Sequence, residues 1–112
     1  MKLSFEGIGA TVITLHSAGG TEGKCVKISA NKTASVCAAG EHMAGFALTD
    51  KDGFAAVQVG GAVTAAYTGT APAVGFAALA ADGNGGVKAA DGGREYLVLD
   101  VDSTAKTVTF IL

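Results

Sequence analysis

In the stretch KCVKISANKTASVC, residues 24 to 37, apolar and polar positions alternate on both sides of Asn31. This period of two is the signature of a strand with one buried face. A turn at Asn31 pairs Ile28 with Ala34 and Val26 with Val36, and it sets Cys25 opposite Cys37. The same period runs through FAAVQVGGAVTAAY, residues 54 to 67. Folding that segment back at Gly60-Gly61 brings Val63 against Gln58, so the two faces disagree. Running it straight on places Ala55, Val57, Val59, Val63, Ala65 and Tyr67 on one face, which predicts a long strand bent at the glycine pair. Such bends form the corners of small barrels. The C-terminal EYLVLDVDSTAKTVTFIL reads as a hairpin closed around Thr104-Ala105. Its apolar face pairs Val101 with Val108, Leu99 with Phe110 and Leu97 with Leu112; its outer face pairs Asp100 with Thr109 and Asp102 with Thr107.

Glycines punctuate the chain from Gly19-Gly20 to Gly92-Gly93, and the pieces between them are short and rich in Val, Thr, Ile, Phe and Tyr. That spacing leaves no room for stable helices and predicts an all-β fold. The expected architecture is a small Gly/Ala-rich β-barrel or sandwich of short antiparallel strands with an extended N-terminal arm. It is one domain, with residues 1–16 as arm or first strand and residues 17–112 as the barrel. No segment reads as a repeat of another and none as a linker.

Composition sharpens this picture. Seventeen glycines in 112 residues would suit a disordered chain, but 49% hydrophobic and only 16% charged residues require a packed core. Eight basic residues against ten acidic ones, with no basic cluster, give no support for binding nucleic acid or an anionic membrane. The longest apolar run, Ala73 to Ala81, is far short of a membrane span, and Glu6 with two glycines breaks any export signal in MKLSFEGIGATVITL. A chain kept in the reducing cytoplasm is expected to hold Cys25 and Cys37 as apolar thiols, although residues directly opposed on paired strands are close enough for a disulfide.

The candidate chemistry is thin. Asp82, Asn84 and Gly86 imitate the start of a calcium loop, but its sixth place, which needs glycine, holds Val87, and its twelfth, which needs Glu, holds Gly93. A glycine-rich turn between GFAALAA and GVKAA is the better reading. Asp100 and Asp102, on one strand face, stand roughly 6 to 7 Å apart, near the separation used by glycosidases; Asp102 just before Ser-Thr-Ala-Lys also sits where a carboxylate caps a turn. His16 and His42 have no zinc-ligand spacing, no serine lies in a nucleophile elbow, and neither glycine cluster has the grammar of a phosphate loop. Lys27, between Val26 and Ile28, resembles the modified lysine of swinging-arm carrier domains but falls four residues from the predicted turn. No cofactor, no metal and no catalytic residue is expected.

The order of pieces resembles the small phage capsid decoration, or cement, proteins. The matching residues are Gly23-Lys24-Cys25-Val26-Lys27, Gly45-Phe46-Ala47-Leu48, Gly53 to Val59 followed by Gly61, Ala73-Val74-Gly75, and the closing Tyr96 to Leu112 hairpin, together most of residues 20 to 112. The resemblance implies a non-enzymatic virion protein, made in the bacterial host cytoplasm and seated on the capsid surface. It implies a homo-oligomer, commonly a trimer, that reinforces contacts between major capsid protein subunits. Before the family-like region, Leu3, Phe5, Ile8, Val12 and Ile13 make an apolar arm suited to strand addition onto a neighbouring subunit. A carrier or ligand-binding module, a tail-associated virion protein, and a hydrolase using Asp100 and Asp102 are the alternatives.

Overall fold

Ten strands follow one another in the computed structural model, which describes residues 10–112 and has no helix among them. They are β1 (Thr11–Ser17), β2 (Cys25–Ala30), β3 (Thr33–Val36), β4 (Gly45–Lys51), β5 (Phe54–Gly60), β6 (Ala62–Thr68), β7 (Gly75–Ala81), β8 (Val87–Ala89), β9 (Arg94–Asp102) and β10 (Thr107–Ile111). The all-β barrel class expected from the glycine spacing is what the chain adopts. The strands close into two barrels of five, ordered β1-β3-β2-β4-β5 and β10-β6-β8-β7-β9. Short strands thereby lose most of the unpaired edges that would invite aggregation.

The two barrels are built alike, which corrects the expectation of no internal repeat. In each, the first strand runs parallel to the third and antiparallel to the fifth, and the remaining neighbours are antiparallel. Leu15 facing Ala55 and Ile13 facing Val57 in the first barrel correspond to Ala65 facing Val108 and Val63 facing Phe110 in the second. Even an irregularity recurs. Ala47 pairs with Val57 and Thr49 with Ala56, so Leu48 is an extra residue; Val98 pairs with Phe110 and Asp100 with Thr109, so Leu99 is extra at the corresponding place.

That bulge revises the C-terminal hairpin. Below it the expected pairs hold: Val101 faces Val108, Asp100 faces Thr109 and Asp102 faces Thr107. Beyond it, Phe110 faces Val98 and Ile111 faces Leu97 in place of the expected Leu99 and Leu112. One additional residue flips every later side chain to the other face. Tyr96 and Val98 therefore enter the core, and Leu97 turns outward.

Other readings of the alternation hold. Val26 faces Val36 and Ile28 faces Ala34, as the period of two requires. β5 does not pair with β6; the chain bends at Gly61, in the left-handed region at φ +85°, and Ala55, Val57, Val63, Ala65 and Tyr67 are all buried. The bend is the passage from one barrel into the next. The β4–β5 hairpin turns on Asp52 and Gly53, both with positive φ of 55° and 80°, the mirror-image turn whose twist matches paired strands.

The two interiors differ in volume. The first is lined by Leu15, Val26, Ala34, Ala47, Ala55 and Val57; the second holds Tyr67, Leu79, Tyr96, Val98, Val108 and Phe110. A barrel filled largely by alanines buries little apolar surface of its own. It compensates on its outside: Cys25, Cys37, Met43 and Phe46 point away from the first interior and join the core of the second. Phe46 meets Phe110 edge-on at 6.1 Å between ring centroids. Three backbone hydrogen bonds stitch the same contact: Cys25 N–H to Gly85 O at 2.9 Å, Gly40 N–H to Ala81 O at 2.8 Å, and Ala81 N–H to Glu41 O at 3.0 Å.

Phe46→Ala should lower stability by about 3–5 kcal/mol, as loss of a buried aromatic does, read as a shift of the urea midpoint. Gly45→Ala should cost about 1–3 kcal/mol or more, because a Cβ at this position would lie 2.1 Å from the carbonyl oxygen of Gln58, a backbone atom held in the sheet. Equal midpoints for Gly45→Ala and the wild-type chain would contradict that packing.

Candidate interaction surfaces

The side chains singled out for chemistry are used mostly on the protein's own backbone. Asp102 Oδ1 accepts from the N–H groups of Thr104 and Ala105, both at 3.0 Å, so it caps its turn as its position suggests. Asp100 is exposed on the outer face across from Thr109. Asp82 Oδ1 accepts from Asn84 N–H at 2.6 Å and from Gly86 N–H at 3.1 Å, closing the glycine-rich turn between β7 and β8. Among the described residues no group of three or more His, Cys, Asp or Glu side chains converges as a metal site would require.

Lys27 lies within β2, not at a hairpin tip, and its ammonium donates to both carboxylate oxygens of Glu41 at 2.8 and 2.7 Å. Glu41 also accepts from Ala38 N–H at 2.6 Å. The Lys27 hydrogen bond, followed by the Ala38 amide, holds the Glu41 carboxyl below its ordinary value. His16 is exposed and stacks against Phe54 at 5.1 Å; His42 is exposed on the loop before β4. Cys25 and Cys37 are free, buried and opposed, with the Cys37 N–H donating to Cys25 O at 3.1 Å. The hydrogen bond that the Cys25 thiol donates to the Cys37 sulfur, and then burial, push the Cys25 thiol up, so it stays protonated.

Asp50 is a polar anchor that the sequence reading missed. Its Oδ2 accepts from Ser17 Oγ at 2.9 Å, from Thr21 N–H at 3.0 Å and from Thr21 Oγ1 at 3.0 Å. These bonds fold the Ser17–Thr21 loop over the open end of the first barrel and bury Thr21 completely. They also make the adjacent open hollow, lined by Ser17, Gly19, Gly20, Glu22, Lys24, Asp50 and Gly53, a poor ligand site, because its carboxylate is already satisfied. Only the separation of Asp50 from Ser17 and Thr21 in the chain hid this anchor; nothing local marks it.

The outside of the second barrel is different in kind. Phe76 faces Leu97, Leu97 faces Ile111, and Ile111 faces Ala62, forming one apolar row across β7, β9, β10 and β6. Phe76 is 72% exposed, Leu97 38% and Ile111 36%, and Val74 stands beside the row, also exposed. Polar residues border it: Glu95, opposite Ala78, on one side, and on the other Asp100, Thr109 and Thr64, the last two joined by a 2.8 Å hydrogen bond. An apolar centre with a polar rim is the anatomy of a protein interface. The period of two alone places Leu97 on the core face, and the bulge at Leu99 that turns it outward carries no local signal in the sequence.

Of the expected arm residues, Leu3, Phe5 and Ile8 lie outside the described residues. Val12 and Ile13 belong to β1, where their backbone pairs with Gln58 and Val57 and their side chains are exposed. Thr11 to Thr14 pair with β5 on one edge, and β3 reaches only His16 and Ser17 on the other. No known protein family, curated protein or solved structure matches the chain.

The Asp50 carboxyl is held below its ordinary value of 3.8, first by the Thr21 amide and then by the Ser17 hydroxyl. A carboxyl depressed in the folded state stabilises the fold at neutral pH, and that stabilisation is lost as pH falls from the ordinary value toward the folded one. Asp50→Asn should therefore lower the urea midpoint at pH 7, with the gap to the wild-type chain narrowing as pH is taken below about 4. A gap that is constant with pH would show that the carboxylate charge contributes nothing.

Proposed function

We propose that this chain is a structural virion protein that decorates the outside of a phage head, binding the major capsid protein and tightening contacts between its subunits. Three features support the reading. The order of glycine-bounded strand segments over about residues 20 to 112 resembles that of decoration proteins. Asp50, Asp82 and Asp102 are engaged in capping turns or anchoring a loop instead of converging on a cleft. Above all, the second barrel displays the Phe76–Leu97–Ile111 row, and this observation carries the proposal. A face of that kind contributes affinity through area removed from water, about 25 cal/mol per Å² before the costs of association.

On this reading the protein works without cofactor or catalysis. Rigid barrels present preformed apolar faces, so little conformational entropy is lost on docking. Many weak, identical contacts around a shell add up through multivalency, and the binding stabilises the shell by mass action on its assembled state.

Purified protein mixed with phage heads that lack their decoration protein should co-sediment with them and raise the temperature at which they open. Removal of residues 1–10 should reduce binding to the heads if the arm contributes a strand to a capsid subunit. Protein that stays in the supernatant at micromolar concentration with every head tested would reject the proposal.

A further inference from the structure

The chain has two cysteines, and the fold sets them against each other. Val26 faces Val36 across β2 and β3, so the next pair outward is Cys25 with Cys37, and the 3.1 Å bond from Cys37 N–H to Cys25 O carries the ladder through it. Opposed residues of a hydrogen-bonded antiparallel pair have Cα atoms about 5.5 Å apart, inside the roughly 4.4–6.8 Å that a disulfide spans. Both side chains leave the same face of the hairpin for the core of the second barrel, where they are 1% and 2% exposed. Weak hydrogen bonds order the two sulfurs in the neutral pair: the Cys25 thiol donates to the Cys37 sulfur, and the Cys37 thiol donates to His42 O at 3.8 Å. The bond from Cys25 holds the Cys37 thiol below its ordinary value while Cys25 itself is pushed up. Cys37 is therefore the sulfur that carries the charge when the pair loses a proton, and the thiolate is the reactive form.

We infer that Cys25 and Cys37 are a site of oxidative modification by small hydroperoxides, closing as an intramolecular disulfide that fastens the cover between the two barrels. Burial selects the oxidant. Hydrogen peroxide is little larger than water, whereas oxidised glutathione must bring a bulky disulfide up to a sulfur that lies beside the backbone of His42. The Cys37 thiolate attacks one oxygen of hydrogen peroxide, the O–O bond breaks, and the departing hydroxide takes up a proton to leave as water. Cys37 is thereby oxidised to a sulfenic acid. Cys25 then forms the S–S bond, and its proton leaves with the sulfenic hydroxyl as a second water. Two thiols and one hydrogen peroxide become one disulfide and two waters, with two electrons passing from the sulfurs to the peroxide. The ring so closed encloses the β2–β3 hairpin and fixes the point where residues 38–44 begin. That segment carries the Gly40 and Glu41 bonds to Ala81 and the buried Met43 side chain. Closure thus restrains the cover directly, and it also restricts the unfolded chain. In reducing surroundings the pair stays a dithiol. The inference stands on the β2–β3 register and is independent of the capsid reading.

The full chain, purified in reductant and moved while folded into buffer with hydrogen peroxide, tests it. Its intact mass should fall by two hydrogen atoms, and proteolytic mapping should recover a peptide that links Cys25 to Cys37 within one chain. The oxidised protein should unfold at a higher urea concentration and more slowly than the reduced protein, and dithiothreitol should restore both the mass and the midpoint. Oxidised glutathione at the same concentration should act more slowly than peroxide until urea opens the fold. The order of the two sulfurs is read with dimedone, which traps sulfenic acids. Cys25→Ala should accumulate the adduct on Cys37, and Cys37→Ala should label far less. If either variant fails to fold, the wild-type chain quenched early with dimedone gives the same reading, with the adduct on Cys37. A wild-type chain that keeps both thiols in peroxide, linkage between chains in place of linkage within one, faster closure by oxidised glutathione than by peroxide, an adduct mainly on Cys25, or a linked chain whose midpoint does not move would each overturn the inference.

Discussion

Phe46 on Phe110 is the contact on which this small protein depends. A barrel of five strands has a narrow interior, and in the first barrel it is filled by alanines, Val26, Val57 and one leucine, too little to hold the fold by itself. The chain solves this by letting the outer surface of that barrel serve as part of a second core. Cys25, Cys37, Met43 and Phe46 form a lid of soft and aromatic side chains on the second barrel, and Tyr96 and Phe110 complete the contact from within. The barrels are thus unequal partners: one supplies volume, the other supplies a cover and shares the burial it cannot generate alone.

The same asymmetry explains which surfaces are left over. Because the first barrel spends its Phe46 face inside the molecule, only the second presents the equivalent face to solvent. An outward phenylalanine beside two outward aliphatics on adjacent strands costs solubility and is stable against misassembly only when it is met by something specific. Glu95, Asp100 and the paired Thr64 and Thr109 border the row and confine it to a single strip.

Local alternation carried much of this into the sequence. The Val26–Val36 and Ile28–Ala34 register, the bend at Gly60-Gly61 and the capping role of Asp102 could all be read, because each depends on residues close together in the chain. What could not be read shares a physical cause. A bulge at Leu99 needs no special residue, so nothing distinguishes it from a regular strand, yet it reverses every side chain beyond it and moves Leu97 from core to surface. The duplication is equally silent. Val57 stands where Phe110 does, Ala34 where Val87 does, and a two-residue turn at Asp52-Gly53 stands where the second barrel uses Ser103 to Lys106. What the two halves share is pairing and direction, and these belong to the backbone.

The alanine-lined interior of the first barrel also bears on how the molecule is made. Synthesis proceeds from the N-terminus and domains form in that order, so the half with the weaker core leaves the ribosome first. Its strands can pair as they emerge, but Met43 and Phe46 have nothing to cover until Tyr96 and Phe110 have been added, 50 and 64 residues after Phe46. The nascent chain must carry that greasy patch uncovered through half of its own translation, and a pause in the second half would prolong the interval in which a neighbouring nascent chain could take the place meant for the barrel still to come.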